Sequence, residues 1–304
     1  MELRHPIHST ITALSLSACS ALFAAEQTPT TAPDQTQPAS NNPEALFKQA
    51  RALLRGEGVK KDAAQGFKLM QSAADLGHED AMGGLGYFYS QGISVPKDLK
   101  KALEWFRKGA ERGSAKSQYN LGSSLMIANE ANPDEKKAAE AIEWIRKAAE
   151  QKLPEANLTY GTYAYLGENG IHQNYELAAT HFRIAADQGL ADAQNYLGIM
   201  NQNGQGIAID HDQAIAWYRK AALQGHIRAQ ANLGFAIGTN NADENKQNEA
   251  LAWLSIASQR GDVSAEKGLI EIEPVMTPEK RQKINTLAIE IRKQIKPNTP
   301  STGK

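Results

Sequence analysis

The histidines and carboxylates of this chain are the residues from which a catalytic or metal site could be built. There are seven histidines among 304 residues, and no two have the His-Glu-x-x-His spacing that presents two imidazoles to zinc. His78 and His226 each follow a recurring glycine and are predicted to lie in surface loops, whereas His181 replaces a recurring tryptophan and is predicted to be at least half buried. Nothing in the sequence fixes two carboxylates across a cleft, as acid-base hydrolysis requires. We therefore predict no catalytic residue, no cofactor and no metal site.

Two further patterns could bind anions. The Gly-Gly-Leu-Gly run at 83–86 is superficially similar to a nucleotide loop, but no predicted strand precedes it and Gly86 belongs to an internal repeat. An Arg-Lys pair recurs at 107–108, 146–147 and 219–220, which indicates a solvated ridge or, alternatively, a site for an acidic partner. Because 33 basic residues face 34 acidic ones, the whole chain has no field that favours nucleic acid, and we predict no nucleic-acid partner.

The N-terminal segment, residues 1–25, has the pattern of an export signal. Arg4 precedes an uncharged, mostly apolar run of fifteen residues at 11–25, which is short for a membrane span. Cleavage near Ala24 or Ala25 would release an exported, periplasmic protein. Alternatively, the Leu-Ser-Ala-Cys sequence at 16–19 looks like the lipobox of bacterial lipoproteins, which would make Cys19 a lipidated membrane anchor. In a third interpretation the segment stays attached.

The residues on either side of the central region are predicted to be disordered. Residues 26–42 contain Pro29, Pro33 and Pro38 but no large apolar side chain, so this segment cannot bury enough surface to order itself. Residues 297–304 have the same character. We interpret 26–42 as a linker and 297–304 as a tail.

Between these segments the chain repeats with a period of 36 residues. Each of the four tryptophans lies eight residues before a common landmark: Gly113, Lys152, Gly225 and Gly261. A Leu-Gly step also recurs, at 85–86, 121–122, 197–198 and 233–234, and Tyr-Gly replaces it at 160–161. Six units are counted, over residues 43–262.

Each unit is predicted to be a pair of helices. In the fifth unit, apolar residues at helical spacing cover 191–203 and 210–224, separated by a glycine-containing turn. Asp62, Asp98 and Asp210 stand where an N-cap would begin the second helix. The aromatic residue at the tryptophan position is predicted to fill the space beside the small residues at the helix crossings. A single unit cannot cover its own apolar face, whereas stacked neighbours can. We predict an all-α, right-handed α-solenoid of about six repeats, closed by a capping helix pair at 263–296.

The fifth unit closely resembles the Sel-one-like (Sel1-like) repeat, a relative of the tetratricopeptide repeat. The resemblance is carried by Ala193, Leu197-Gly198, Gly204-Gln205-Gly206, Asp210, Trp217-Tyr218 and Gly225. It implies a scaffold that gathers other proteins, and bacterial exported members are linked to envelope assembly, signalling and host contact. Cysteine-rich relatives are described as binding or slowly hydrolysing penicillin. Their helix pairs are joined by disulfides, which this chain cannot form because Cys19 is its one cysteine.

By analogy with tetratricopeptide units, the residues one and four positions after the Leu-Gly glycine are expected to line a concave face, together with the residue two positions before the leucine in two of the repeats. Aromatic and methionine anchors among amides suit an extended peptide or a helix. Alternatively, some of these residues belong to the core between units. We predict a monomeric, non-enzymatic adaptor for a protein or peptide, with a β-lactam hydrolase or a cell-wall glycan binder as alternatives. The candidate partner-binding residues are Tyr87, Ser90, Tyr119, Ser123, Met126, Thr162, Tyr165, Asn195, Ile199, Gln202 and Phe235.

Overall fold

A computed structural model of the chain describes residues 41–131, 133–239 and 243–296. The predicted signal peptide, the lipobox, the linker up to residue 40 and the tail lie outside these residues. The described part of the chain forms fourteen α-helices and one short 3-10 helix at Glu273–Val275, and it contains no strand. The helices are α1 Pro43–Arg55, α2 Ala63–Asp75, α3 Glu79–Gln91, α4 Leu99–Glu111, α5 Ala115–Ala131, α6 Glu135–Glu150, α7 Pro154–Leu166, α8 Tyr175–Asp187, α9 Ala191–Asn203, α10 His211–Leu223, α11 Ile227–Thr239, α12 Glu244–Gln259, α13 Val263–Ile272 and α14 Pro278–Gln294.

The all-α repeat fold predicted from the sequence is confirmed. Each of the six repeats is a helix pair, from α1 and α2 to α11 and α12. The helices α13 and α14 follow the sixth pair. The helices belong to two compact units that divide within α7: unit 1 extends to Tyr160 and unit 2 begins at Gly161. Over the described ranges, none of the helices combines the length and the apolar character needed to cross a bilayer.

Side-chain caps fix where the second helices begin. Asp62 Oδ1 accepts a hydrogen bond from the Gln65 backbone N–H at 2.9 Å, and Asp210 Oδ1 accepts one from Gln213 at 2.9 Å. Asp98 caps α4 in the same way. These bonds satisfy backbone donors that have no partner within the first helical turn. The three N-caps predicted from the sequence are confirmed.

The packing at the helix crossings differs from the sequence prediction. The residue after the tryptophan position, not the tryptophan, packs against the small residue of the first helix: Phe106 contacts Gly86, and Tyr218 contacts Gly198. A methyl group on Gly234 would lie only 2.7 Å from Leu254 Cγ. Because successive helical residues point about 100° apart, the tryptophan itself faces away from the first helix of its own repeat.

The four tryptophans therefore have different environments. Trp217 and Trp253 are buried, whereas Trp105 and Trp144 are half buried. Lys108 Nζ lies 4.1 Å from the centre of a Trp105 ring, and Lys147 Nζ lies 4.4 Å from that of Trp144. Both contacts are cation–π interactions, and Lys220 Nζ makes the same contact with the buried Trp217 at 3.9 Å.

Buried side-chain amides join neighbouring repeats within each unit. In unit 2, Gln230 Nε2 donates to the Ala222 carbonyl of the preceding helix pair at 3.1 Å, and Gln230 Oε1 accepts from Arg260, which follows the second helix of its own pair, at 3.2 Å. In unit 1, Gln118 bonds the Ala110 carbonyl at 3.2 Å and accepts from Gln151 at 2.8 Å. The stacking of repeats thus includes satisfied buried hydrogen bonds as well as apolar contact.

Candidate functional site

The structure divides the candidate partner-binding residues by exposure. Tyr87, Tyr165 and Ile199 are half buried, and Gln202 and Phe235 are exposed. Four others are buried, as the alternative of a core between repeats expects, and they offer no free surface. These are Tyr119, Met126, Thr162 and Asn195, each at most 8% exposed. Ser123 is likewise buried, and Ser90 is half buried.

The buried candidates are held by contacts between neighbouring first helices. In unit 1, the Tyr119 hydroxyl lies 3.1 Å from Thr159 Oγ1, which joins α5 to α7. In unit 2, Asn195 Oδ1 accepts a hydrogen bond from Asn232 Nδ2 at 2.9 Å, which joins α9 to α11. Adjacent first helices therefore lie close enough to enclose these side chains. The analogy with tetratricopeptide units did not predict that neighbouring first helices would enclose these residues.

A cluster of three half-buried tyrosines remains on the surface of unit 2. We call Tyr165, Tyr175 and Tyr196 the tyrosine cluster. The Tyr165 ring centre lies 5.2 Å from that of Tyr175 and 5.4 Å from that of Tyr196, with interplanar angles of 61° and 58°. Phe182, which is fully buried, stacks on Tyr196 at 4.5 Å and 4°. The cluster thus has a buried aromatic residue beneath three half-buried rings.

Amide groups surround these rings. The Tyr165 hydroxyl donates a hydrogen bond to Gln205 Oε1 at 3.0 Å, and the Tyr218 hydroxyl donates to Gln202 Oε1 at 2.9 Å. Burial raises the pKa of Tyr165, and burial together with the charge of Asp192 raises the pKa of Tyr196 to about 12. Both hydroxyls therefore stay protonated at physiological pH. The surface offers neutral aromatic rings, hydroxyls and amides.

Sequence reasoning missed Tyr175 and Tyr196, because neither occupies a position that the repeat analogy marked as inward-facing. A signal was nevertheless present. Five of the nine tyrosines of the chain fall between residues 160 and 196.

An aspartate and a histidine lie beside the cluster. Asp192 is one helical turn before Tyr196, and its Oδ1 lies 3.2 Å from His226 Nε2. His226 Nδ1 accepts the Ala229 backbone N–H at 3.0 Å and so caps α11. This geometry places the imidazole proton on Nε2, where it can be donated to Asp192.

The same arrangement recurs in unit 1 with His78, Glu44 and the Ala81 backbone N–H. The side chains of His78 and His226 are only 9% and 17% exposed. Both residues lie between helices, as the loop prediction expected, but their side chains are mostly buried rather than free on the surface. Each one begins a helix and contacts the preceding repeat, so it is held by two hydrogen bonds that the repeat position alone did not reveal.

The Asp192–His226 contact leads to a pH-dependent prediction. Burial raises the pKa of Asp192. The hydrogen bond from His226 and the charge of that imidazole lower it by more, so the net shift of the Asp192 pKa is downward. The carboxylate therefore contributes stability that is fully present above about pH 4, its unfolded pKa range, and is lost as pH falls through the lower folded pKa. Asp192→Asn is expected to lower the free energy of unfolding by about 1 kcal/mol at pH 7 and by less at pH 3.

Urea denaturation at the two pH values measures this difference. Asp187→Asn removes an exposed carboxylate of the same unit and should change stability by less than about 0.5 kcal/mol at either pH. A pH-independent loss for Asp192→Asn would contradict the role of its charge.

Among the described residues, no group of three or more His, Cys, Asp or Glu side chains is placed to hold a metal ion.

Comparisons with known proteins agree with this architecture. The crystal structure of a Sel1 repeat protein from Oxalobacter formigenes superposes with a TM-score of 0.64 and 31% sequence identity, over 74% of this chain and 91% of that one. An uncharacterized protein from Neisseria meningitidis serogroup B is 29% identical over 171 residues, which are 56% of this chain and 34% of the relative. Protein sel-1 homolog 2 from Rattus norvegicus is 28% identical over 146 residues, 48% of this chain and 15% of the relative. The chain thus spans about a third or less of these two relatives.

The family model for the Sel1 repeat matches six consecutive segments, at 43–78, 79–114, 115–153, 154–190, 191–226 and 227–262. Together they cover well over half of the chain and coincide with the six helix pairs. This chain belongs to the Sel1 repeat family, whose members generally act as scaffolds for protein interactions.

Proposed function

We propose that this protein is a non-enzymatic adaptor that binds a protein or peptide partner through the tyrosine cluster of unit 2. The observation that carries the proposal is the set of three half-buried rings on a buried Phe182 base, with Gln202 and Gln205 beside them. Tyrosine is enriched among the residues that dominate binding energy at protein interfaces. Its ring provides contact area at a small entropic cost, and here the Tyr165 ring is already fixed by Gln205 and its neighbours.

The location we propose is the periplasm, with a lipid anchor at Cys19 as the alternative. Support for export comes from the basic start and the short apolar run at 11–25. A periplasmic adaptor meets partners outside the cytoplasm, so the binding experiment belongs in living cells.

Crosslinking from a photoreactive residue at position 165, followed by mass spectrometry, would identify the partner. A photoreactive residue at the exposed position 187 is the matched control. We expect a defined crosslinked protein from position 165 that is absent from position 187. Equal crosslinking from both positions would contradict the proposed surface.

Substitutions at the cluster test its contribution to affinity. Tyr165→Ala and Tyr196→Ala are each expected to weaken binding of the identified partner by roughly tenfold or more, because each removes a central aromatic anchor. Tyr165→Phe retains the ring and should lose less affinity. Wild-type affinity in both alanine variants, with the fold intact by circular dichroism, would sink the proposal.

The alternatives inferred from the sequence have distinct assays. A glycan binder would sediment with purified peptidoglycan in a manner that depends on Tyr165 and Tyr196, since aromatic rings can stack on sugars. An enzyme of the penicillin-hydrolase type would turn over nitrocefin. Efficient turnover would overturn the non-enzymatic assignment.

A further inference from the structure

Lysines are concentrated where the second helices of unit 1 begin. We compare six positions in each repeat: the two residues before the N-cap, the N-cap and the three residues after it. In the three repeats of unit 1 these positions carry seven exposed lysines, which we call the lysine edge: Lys60, Lys61, Lys97, Lys100, Lys101, Lys136 and Lys137.

The lysine edge runs against the local electrostatic preference of a helix. The N-terminus of a helix carries a partial positive charge and favours acidic side chains. Yet α2 and α4 have no acidic residue in the first turn. In unit 2 the first turns of α8, α10 and α12 carry Glu176, Asp212 and Glu244. The repeat fold therefore does not require these lysines, which leaves them available for a role outside folding.

The local charge balance differs sharply between the two units. The compared positions of unit 1 contain seven lysines and four carboxylates, a local excess of three positive charges. The same positions of unit 2 contain five carboxylates and one lysine, Lys246, a local excess of four negative charges. The net charge of −1 for the whole chain conceals this division. Unit 1 thus presents a cationic edge.

An exposed apolar side chain lies within the lysine edge. Leu99 begins α4 between Lys97 and Lys100, and it is 60% exposed. A leucine flanked by lysines suits the boundary between lipid headgroups and acyl chains, where the apolar group enters the layer and the ammonium groups stay at the phosphates.

We propose that the lysine edge of unit 1 binds the surface of an anionic phospholipid bilayer, with Leu99 as its apolar contact. Lysine is a flexible point charge, which suits a surface of many diffuse phosphates, whereas an acidic protein site is typically matched by the planar fork of arginine. In unit 1, Arg107 is engaged within the chain, 2.7 Å from Glu140. Among the lysines of the edge, Lys101 Nζ lies 3.7 Å from Asp98 Oδ2, an exposed pair that water largely screens, so the edge keeps its excess of positive charge. This inference does not depend on the tyrosine cluster.

Vesicle flotation tests the proposal with the full chain. Vesicles of phosphatidylcholine alone are compared with vesicles that also contain phosphatidylglycerol. Binding to the neutral vesicles measures the non-electrostatic part of the binding, including any contribution of the apolar run at 11–25. We expect additional binding to the anionic vesicles that declines as salt rises, because salt screens exposed charges. The triple variant Lys60→Gln, Lys97→Gln, Lys136→Gln should reduce this additional partitioning by on the order of 100-fold, about fivefold per lysine.

A matched triple variant in unit 2 separates position from net charge. Lys246→Gln, Lys267→Gln and Lys293→Gln change the net charge equally and lie on exposed positions, and they should leave the additional binding within about threefold of wild type. Leu99→Ser should weaken it without abolishing its salt dependence. Circular dichroism confirms that each variant is folded. An equal loss of vesicle binding in both triple variants would overturn the proposal, and so would binding that does not depend on the vesicle charge. Lysine-dependent capture of an acidic protein without vesicle binding would also overturn it.

Discussion

Replacing Trp253 by alanine is expected to lower the free energy of unfolding by about 3–5 kcal/mol. The ring is 2% exposed, it belongs to the main apolar cluster of unit 2, and its Nε1 lies 3.3 Å from Glu249 Oε1. Removing it leaves a cavity that the surrounding helices can close only in part. Urea denaturation followed by circular dichroism measures the loss.

Trp105→Ala is the matched control for this substitution, because it changes the same residue type at the same repeat position. Trp105 is half buried, and Lys108 lies over its ring. Its replacement should lower the free energy of unfolding by roughly half as much, since less apolar surface returns to water. Equal losses would show that exposure does not decide the contribution of this position, and an unchanged denaturation midpoint for Trp253→Ala would refute its burial.

Gly206→Ala is expected to destabilise the chain by roughly 2–4 kcal/mol, through two effects at one residue. Gly206 has φ of +68°, a conformation that side chains resist. A methyl group there would also lie 2.5 Å from the Glu176 backbone nitrogen, so the turn before α10 would be pushed away from the start of α8. Backbone atoms cannot rotate aside as a flexible side chain can.

Gly58 occupies the equivalent position of the first repeat and separates the two effects. Its φ is +69°, but a methyl group would meet no atom within 4 Å. Gly58→Ala should therefore lower the free energy of unfolding by only about 1 kcal/mol, the conformational part alone. If Gly58→Ala and Gly206→Ala proved equally destabilising in urea denaturation, the contact between neighbouring turns would have no energetic role.

The fold was largely predictable from sequence because its main features are local or periodic. The caps at Asp62 and Asp210 act over three residues, and the 36-residue period is visible in the spacing of tryptophans and glycines. A helix pair with one uncovered apolar face has to stack on a neighbour. The candidate site was less predictable. The analogy with tetratricopeptide units marked Tyr119 and Asn195 as binding residues, but both are buried.

The sequence by itself determined the number of repeats, the type and start of their helices and the presence of a closing helix pair, since these follow from short-range spacing. Only the tertiary structure decided that Phe106 rather than Trp105 packs at a helix crossing, that His226 reaches back to Asp192, and that Tyr165, Tyr175 and Tyr196 meet. The contact between His226 and Asp192 joins residues 34 apart. Such contacts depend on the rotation of each helix and its distance from the next, and neither is set by local periodicity.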